Sequence, residues 1–242
     1  MILPFDEMNV LSQKKKQRSI SIDKYFNEME LPKPEKEDRI QFANELNNIL
    51  FEKMSLLYLL LIGKIAGTTL DSIKQELTRQ ISNLMKEYTY PDYELDSKIN
   101  RYASNFVDIT ANRTNLILDG SEVENLFSDG LGKEVKLSDE DKSNSLIYWF
   151  SEDRARFNAE DTTNDLFNYE QYRQAIADGM IQKQWLTMKD ERVRKTHAEV
   201  DDIVIPINSL FLVGDCYMRY AHDTEMGSAE ETVNCRCTTI YF

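Results

Sequence analysis

The chain has 242 residues, of which 41% are hydrophobic and 29% charged; that is enough apolar material for a sizeable core and excludes wholesale disorder. Its net charge of −13 and pI of about 4.7 argue against nucleic-acid binding through a basic surface, because phosphate contact needs clustered Lys and Arg. Eight glycines and five prolines favour long helices over a many-turned β fold.

In chain order, residues 1–36 read as a flexible N-terminal tail. Its basic run, Lys14-Lys15-Lys16-Gln17-Arg18, reads as solvated charge. Its apolar residues Ile20, Ile22, Tyr25, Phe26 and Met29 either dock on a partner or pack on the body of the protein. The opening Met-Ile-Leu-Pro-Phe-Asp-Glu carries acids where a secretory signal would be basic. Three cysteines, an odd count, fit a reducing compartment better than a disulfide framework.

Residues 37–118 read as a helical hairpin or bundle. A first helix is expected from about Asp38 to Ala66. Its apolar run Leu56–Ile62 is bracketed by Lys53 and Lys64 and falls far short of the roughly 20 residues that span a bilayer, so no membrane partner is expected. A second helix starts near Thr69, a good N-cap, and carries Leu70, Ile73, Leu77, Ile81, Leu84, Met85 and Tyr88 as one stripe. After Pro91-Asp92, a third carries Leu95, Ile99, Tyr102, Phe106, Ile109 and Leu116 and stops at Asp119-Gly120. Residues 119–140 read as a linker and 141–242 as a second domain.

Ser138-Asp-Glu-Asp141, at the boundary of that second domain, reads as a helix start. Helical character runs on to Gly179. Beyond it the pattern changes to short β-like runs at Gln184–Thr187, Ile203–Ile207 and Thr238–Phe242, with a charged helix expected over Asp190–Val200. The expected fold class is therefore α+β: a long-helix N-terminal region, then a small α+β domain with a few short antiparallel strands.

Two polar stretches stand out. In Asp190-Glu-Arg-Val-Arg-Lys-Thr-His197, a helix would put Asp190 at the cap and Asp190, Arg194 and His197 on one face. That face reads either as a solvated charged surface or as a cluster aimed at the terminal strand. In Asn234-Cys-Arg-Cys237, a strand would turn Cys235 and Cys237 to the same side. The two thiols could share a zinc with His197 and a fourth ligand from Cys216, Asp190 or His222, act as a nucleophile with His197 as base, or pack as small hydrophobes. A disulfide between them would close a tight ring. His222 is expected in a surface loop, and Asn234 to tie the strand to a neighbouring loop through its amide. Phosphate-binding glycine loops, H-E-x-x-H and G-x-S-x-G are all absent from the sequence.

Together, Trp185-Leu-Thr, Asp190-x-Arg192-Val-Arg194-x-x-His197, the Ile-Val-Ile-Pro-Ile segment and the closing Asn234-Cys-Arg-Cys237 resemble the Mu F-like head morphogenesis family of tailed bacteriophages, over about residues 145–242. The chain departs from the family pattern after the histidine: where an H-x-x-L-D-G-like turn is usual, it has His197-Ala-Glu-Val-Asp-Asp202. The resemblance implies a structural virion protein rather than an enzyme: a minor head protein at the portal vertex, made in the host cytoplasm, assisting head assembly and genome packaging or delivery. It implies the phage portal protein as partner, with the major capsid or scaffolding protein and genomic DNA as further candidates. Trp185, Asp190, Arg192, Arg194, His197, Asn234, Cys235 and Cys237 would then organise a rigid module, with no required cofactor and with zinc on His197, Cys235 and Cys237 left open. The alternatives are a phage hydrolase or nuclease using His197 and an acid, and a zinc-stabilised binding module.

Overall fold

A computed structural model describes residues 21–29, 31–90, 92–124, 133–136 and 138–242. The basic run at 14–18, Ile20 and Pro91 lie outside the described residues. The chain divides into two compact units, one built on Phe42–Ala159 and the other on Ile20–Gln41 with Glu160–Phe242.

The helices are α1 (Ile22–Asn27), α2 (Lys33–Leu61), α3 (Leu70–Met85), α4 (Tyr93–Asp119), α5 (Asp139–Trp149), α6 (Glu152–Ala177), α7 (Lys195–Ala198) and α8 (Ala229–Thr232). The strands are β1 (Ser121–Glu124), β2 (Lys133–Lys136), β3 (Gln182–Leu186), β4 (Val204–Pro206), β5 (Phe211–Val213), β6 (Cys216–Met218) and β7 (Thr238–Tyr241). Long helices followed by short antiparallel strands make the fold α+β, as the sequence predicts.

In the first unit, local chemistry sets the helix ends. Thr69 caps α3 through a reciprocal capping box with Ser72. Asp92 caps α4, accepting from the Leu95 N–H at 2.9 Å, and Ser138 caps α5. Gly120 ends α4 at φ 92°, a conformation that favours glycine. The expected stripe of α3 is buried at Ile73, Leu77, Ile81, Leu84 and Met85, and α4 buries Leu95, Ile99, Phe106 and Ile117. Ile109, expected in that seam, is 51% exposed; the buried face of α4 has drifted to Thr110, Thr114 and Ile117, because 3.6 residues per turn does not hold a 3/4 stripe over seven turns. Arg154 is buried against the Trp149 ring at 3.8 Å, and burial lowers its pKa to about 10. The segment expected as a linker contains the β1–β2 hairpin, registered Ser121↔Lys136 to Glu124↔Lys133; residues 125–132 lie outside the described residues.

The second unit corrects the expected tail. From Ser21 the chain is structured: Ser21 caps α1, and Ile22, Tyr25, Phe26 and Met29 are buried. Helix α2 begins at Lys33, with Pro34 in its first turn, where a missing N–H costs nothing. The sheet has the order β4-β3-β7, all antiparallel, and β5-β6 form a separate hairpin. The core beneath them is Trp185, Val200, Phe211, Val213, Met218, Ala221, Cys235 and Cys237. No helix among the described residues is long and apolar enough to cross a membrane.

Candidate functional site

The residues singled out in the sequence meet around the loop that enters β7. The expected charged helix over Asp190–Val200 is not formed; only Lys195–Ala198 is helical. Asp190 instead holds a turn. Lys189 stands at φ 52°, and the Asp190 carboxylate accepts from the Arg192 N–H at 3.0 Å. An aspartate that bonds the backbone two residues on offers a turn in place of a helix. So Asp190, Arg194 and His197 do not share a helical face. Arg194 stands at the N-cap of α7 with no side-chain cap, and its guanidinium donates to the Val233 carbonyl.

Two clusters result. The first is ionic. The Asp190 carboxylate accepts from Arg236 Nη2 at 2.9 and 2.8 Å and pairs with Arg192 at 3.2 Å. Arg192 also pairs with Glu28, which lies 3.5 Å from Arg236 Nη1. Burial works against the Asp190 charge, but Arg236 and then Arg192 outweigh it and hold its carboxyl below the usual range. The hydrogen bond from Arg192 does the same for Glu28. Groups with depressed folded pKa values stabilise above the unfolded value, near 4 for carboxylates, and the contribution fades as pH falls through the folded value. Asp190→Asn is therefore expected to lower the urea midpoint at pH 7 and to converge on wild type as the pH is taken below about 4. Parallel loss at both pH values would remove Asp190 from this role.

The second cluster is buried. His197 is 1% exposed and meets the Trp185 ring edge-on at 5.6 Å. Its Nε2 faces Glu231 Oε2 at 3.0 Å. Its Nδ1 faces Cys237 Sγ at 3.3 Å and Cys235 Sγ at 3.6 Å. The Thr196 hydroxyl donates to the same Glu231 oxygen at 2.8 Å. Gly214, in the β5–β6 turn at φ 58°, leaves the space that the Glu231 carboxylate fills. The cysteines do not lie on the strand as expected; β7 begins at Thr238. Asn234 takes φ 60°, which turns the chain so that both sulfurs reach one ring nitrogen. The tie made by Asn234 runs through its backbone N–H to Asp161 Oδ1 at 3.0 Å. The hydrogen bond from Cys237 lowers the Cys235 thiol pKa, and its counterpart together with burial raises that of Cys237.

The suggested fourth ligands are engaged elsewhere. Cys216 Sγ accepts from the Ser228 N–H at 3.2 Å, and Asp190 is held by its arginines. His222, expected at the surface, is fully buried. It bonds the Cys235 carbonyl at 3.0 Å and pairs with Asp161 at 3.5 Å. Burial opposes its charge, but Asp161 outweighs that and its pKa is raised.

Sequence reasoning missed the support beneath this loop. Asn164 and Asn168, one turn apart on α6, donate to the Cys235 carbonyl at 2.8 Å, and to Ala221 at 2.8 Å and Cys237 at 3.4 Å. Tyr25 O–H donates to the Cys235 carbonyl at 3.3 Å. The available signal was a pair of amides four residues apart inside a helix, where Asn is disfavoured unless its side chain has a partner. Glu231 and Glu28 carried no such signal. The missing glycine of the H-x-x-L-D-G-like turn is accounted for: Asp202 adopts φ 61° there, a left-handed conformation that Asp tolerates better than most residues.

No curated protein and no solved structure matches the chain significantly. Residues 121–240 match the family model described as Phage Mu protein F like protein. The match spans the β1–β2 hairpin, α5, α6 and the loop around His197 and the cysteines, and so begins before the domain boundary expected at 141. The C-terminal part of this chain, residues 121–240, thus belongs to the Phage Mu protein F like family.

Proposed function

We propose that the protein is a minor head protein of a tailed phage, bound at the portal vertex and assisting head assembly. The observation that carries this reading is the family match over residues 121–240. The use made of the signature residues supports an architectural role. Arg192, Arg194, His197, Cys235 and Arg236 are committed to holding α1, the 189–194 turn and the β7 entry loop to one another.

The helical region 37–118 is the part proposed to contact the portal. Tyr90 and Tyr93, either side of the α3–α4 turn, are 93% and 87% exposed. Exposed aromatic pairs of this kind are what protein interfaces recruit. Purified heads should contain the protein together with the portal protein, and heads carrying Tyr90→Ala with Tyr93→Ala should have lost it while the variant remains folded. Heads of normal composition lacking the protein would defeat the proposal.

A further inference from the structure

We infer that His197 Nδ1, Cys235 Sγ and Cys237 Sγ form a zinc site, with a water molecule completing the coordination from the cleft beside them. Three kinds of observation converge on it. The first is spacing. All three donor atoms lie within 4.8 Å of one another, with Nδ1 at 3.3 and 3.6 Å from the two sulfurs. In a tetrahedral site with Zn–S of about 2.3 Å and Zn–N of about 2.0–2.1 Å, the N···S edge is about 3.5 Å. The protein therefore already holds two edges of that tetrahedron.

The second is orientation. A histidine ligand must present a lone pair, and the usual device is a carboxylate that accepts a hydrogen bond from the N–H on its other nitrogen. Glu231 does this at Nε2, at 3.0 Å, and is itself fixed by the Thr196 hydroxyl. The Nδ1 lone pair is thereby aimed at the two sulfurs. The third is an orphan: Trp185 Nε1–H is buried without a hydrogen-bond partner, in the same core cluster as Cys235 and Cys237. A metal-bound thiolate supplies the acceptor that a neutral thiol offers only weakly.

Packing alone does not account for this. Thiols filling a core as small hydrophobes have no reason to converge on one imidazole nitrogen. The cleft over the cluster is lined by Met188, Arg192, Val193, Arg194, Asn234 and Arg236, and among the described residues no fourth His, Cys, Asp or Glu joins the group. The fourth position therefore opens toward solvent and a basic rim, which suits water or hydroxide. Binding would release the thiol protons to solvent and leave the imidazole neutral. This assignment does not depend on the portal reading.

The test uses the full chain, expressed with zinc in the medium and purified without chelators. About one zinc per chain is expected. Exchange into cobalt should give a thiolate-to-metal charge-transfer band and the visible bands of a tetrahedral ion. Cys235→Ser and Cys237→Ser should each remove the charge-transfer intensity of one thiolate or abolish binding, and Cys216→Ser should change neither. Glu231→Gln should weaken zinc binding about tenfold to a hundredfold in competition with a chromophoric chelator. Folded wild-type protein with less than about half an equivalent of zinc and no cobalt band would overturn the assignment. So would a cobalt spectrum that survives both cysteine substitutions unchanged.

Discussion

Replacing Arg39 by alanine is expected to cost about 3–5 kcal/mol of stability, the range for removing one partner of a buried charged network. Arg39 is fully buried. Its guanidinium pairs with Glu35 at 2.9 Å and donates to Asn168 Oδ1 at 2.8 Å, Asn164 Oδ1 at 2.5 Å and Gln171 Oε1 at 3.1 Å. Burial pulls its pKa down from the ordinary value and Glu35 works the other way. Because Arg39 claims the oxygens of Asn164 and Asn168, their NH2 groups are the ones left to face the carbonyls of Ala221, Cys235 and Cys237. Its loss would leave buried amides unpaired and free to flip, which is the expensive half of breaking a hydrogen bond. Lysine should not rescue it, since a point charge cannot reproduce the planar fork. Urea unfolding at pH 7 measures the effect, and a loss under about 1 kcal/mol would mean the network is not essential.

Trp185→Ala is expected to cost a similar amount, about 3–5 kcal/mol, by leaving a cavity in the centre of the small domain. Trp185 is fully buried on β3, with Phe211 edge-on at 5.3 Å and His197 at 5.6 Å. The ring is the surface on which α7 and the cysteine loop are laid, so near-ultraviolet circular dichroism should fall along with the unfolding midpoint. Trp185→Phe should retain most of the stability, because the apolar volume is largely kept. If alanine is tolerated to within about 1 kcal/mol, the domain collapses onto the site more readily than this packing implies.

How much of this was legible in the sequence follows from which physics was local. Helices α3 and α4 were readable because their caps, Thr69 and Asp92, and their apolar stripes lie within the same few turns. The strands β3, β4 and β7 were readable as short β-like runs, β7 from its β-branched and aromatic residues. Asp190–Val200 misled because charged residues at helical spacing satisfy a helix on paper. The competing bond from Asp190 to the Arg192 N–H, reinforced by the distant Arg236, wins in the fold. The neighbours of His222 in sequence predict a surface loop; its partners, Asp161 and the Cys235 carbonyl, come from elsewhere in the chain. Residues 22–29 read as tail because residues 1–36 mix lysines, serines and isolated apolar residues without a stripe, yet four apolar side chains of 22–29 are buried and Tyr25 bonds the Cys235 carbonyl, over two hundred residues away. The convergence of His197 and both cysteines could be suspected from residue type alone. Its geometry could not, because it depends on Asn234 at φ 60° and on Glu231, which no spacing rule picks out.

Co-purification tests the proposed portal-bound role most directly. The full chain, co-expressed with the portal protein of the same phage and no other head component, is expected to elute with it as one complex. Deleting residues 42–118, which spares Arg39 and the 20–41 segment of the second unit, should abolish that complex. Separate elution of the two full-length proteins would contradict the account, as would retention of the complex by the chain lacking 42–118.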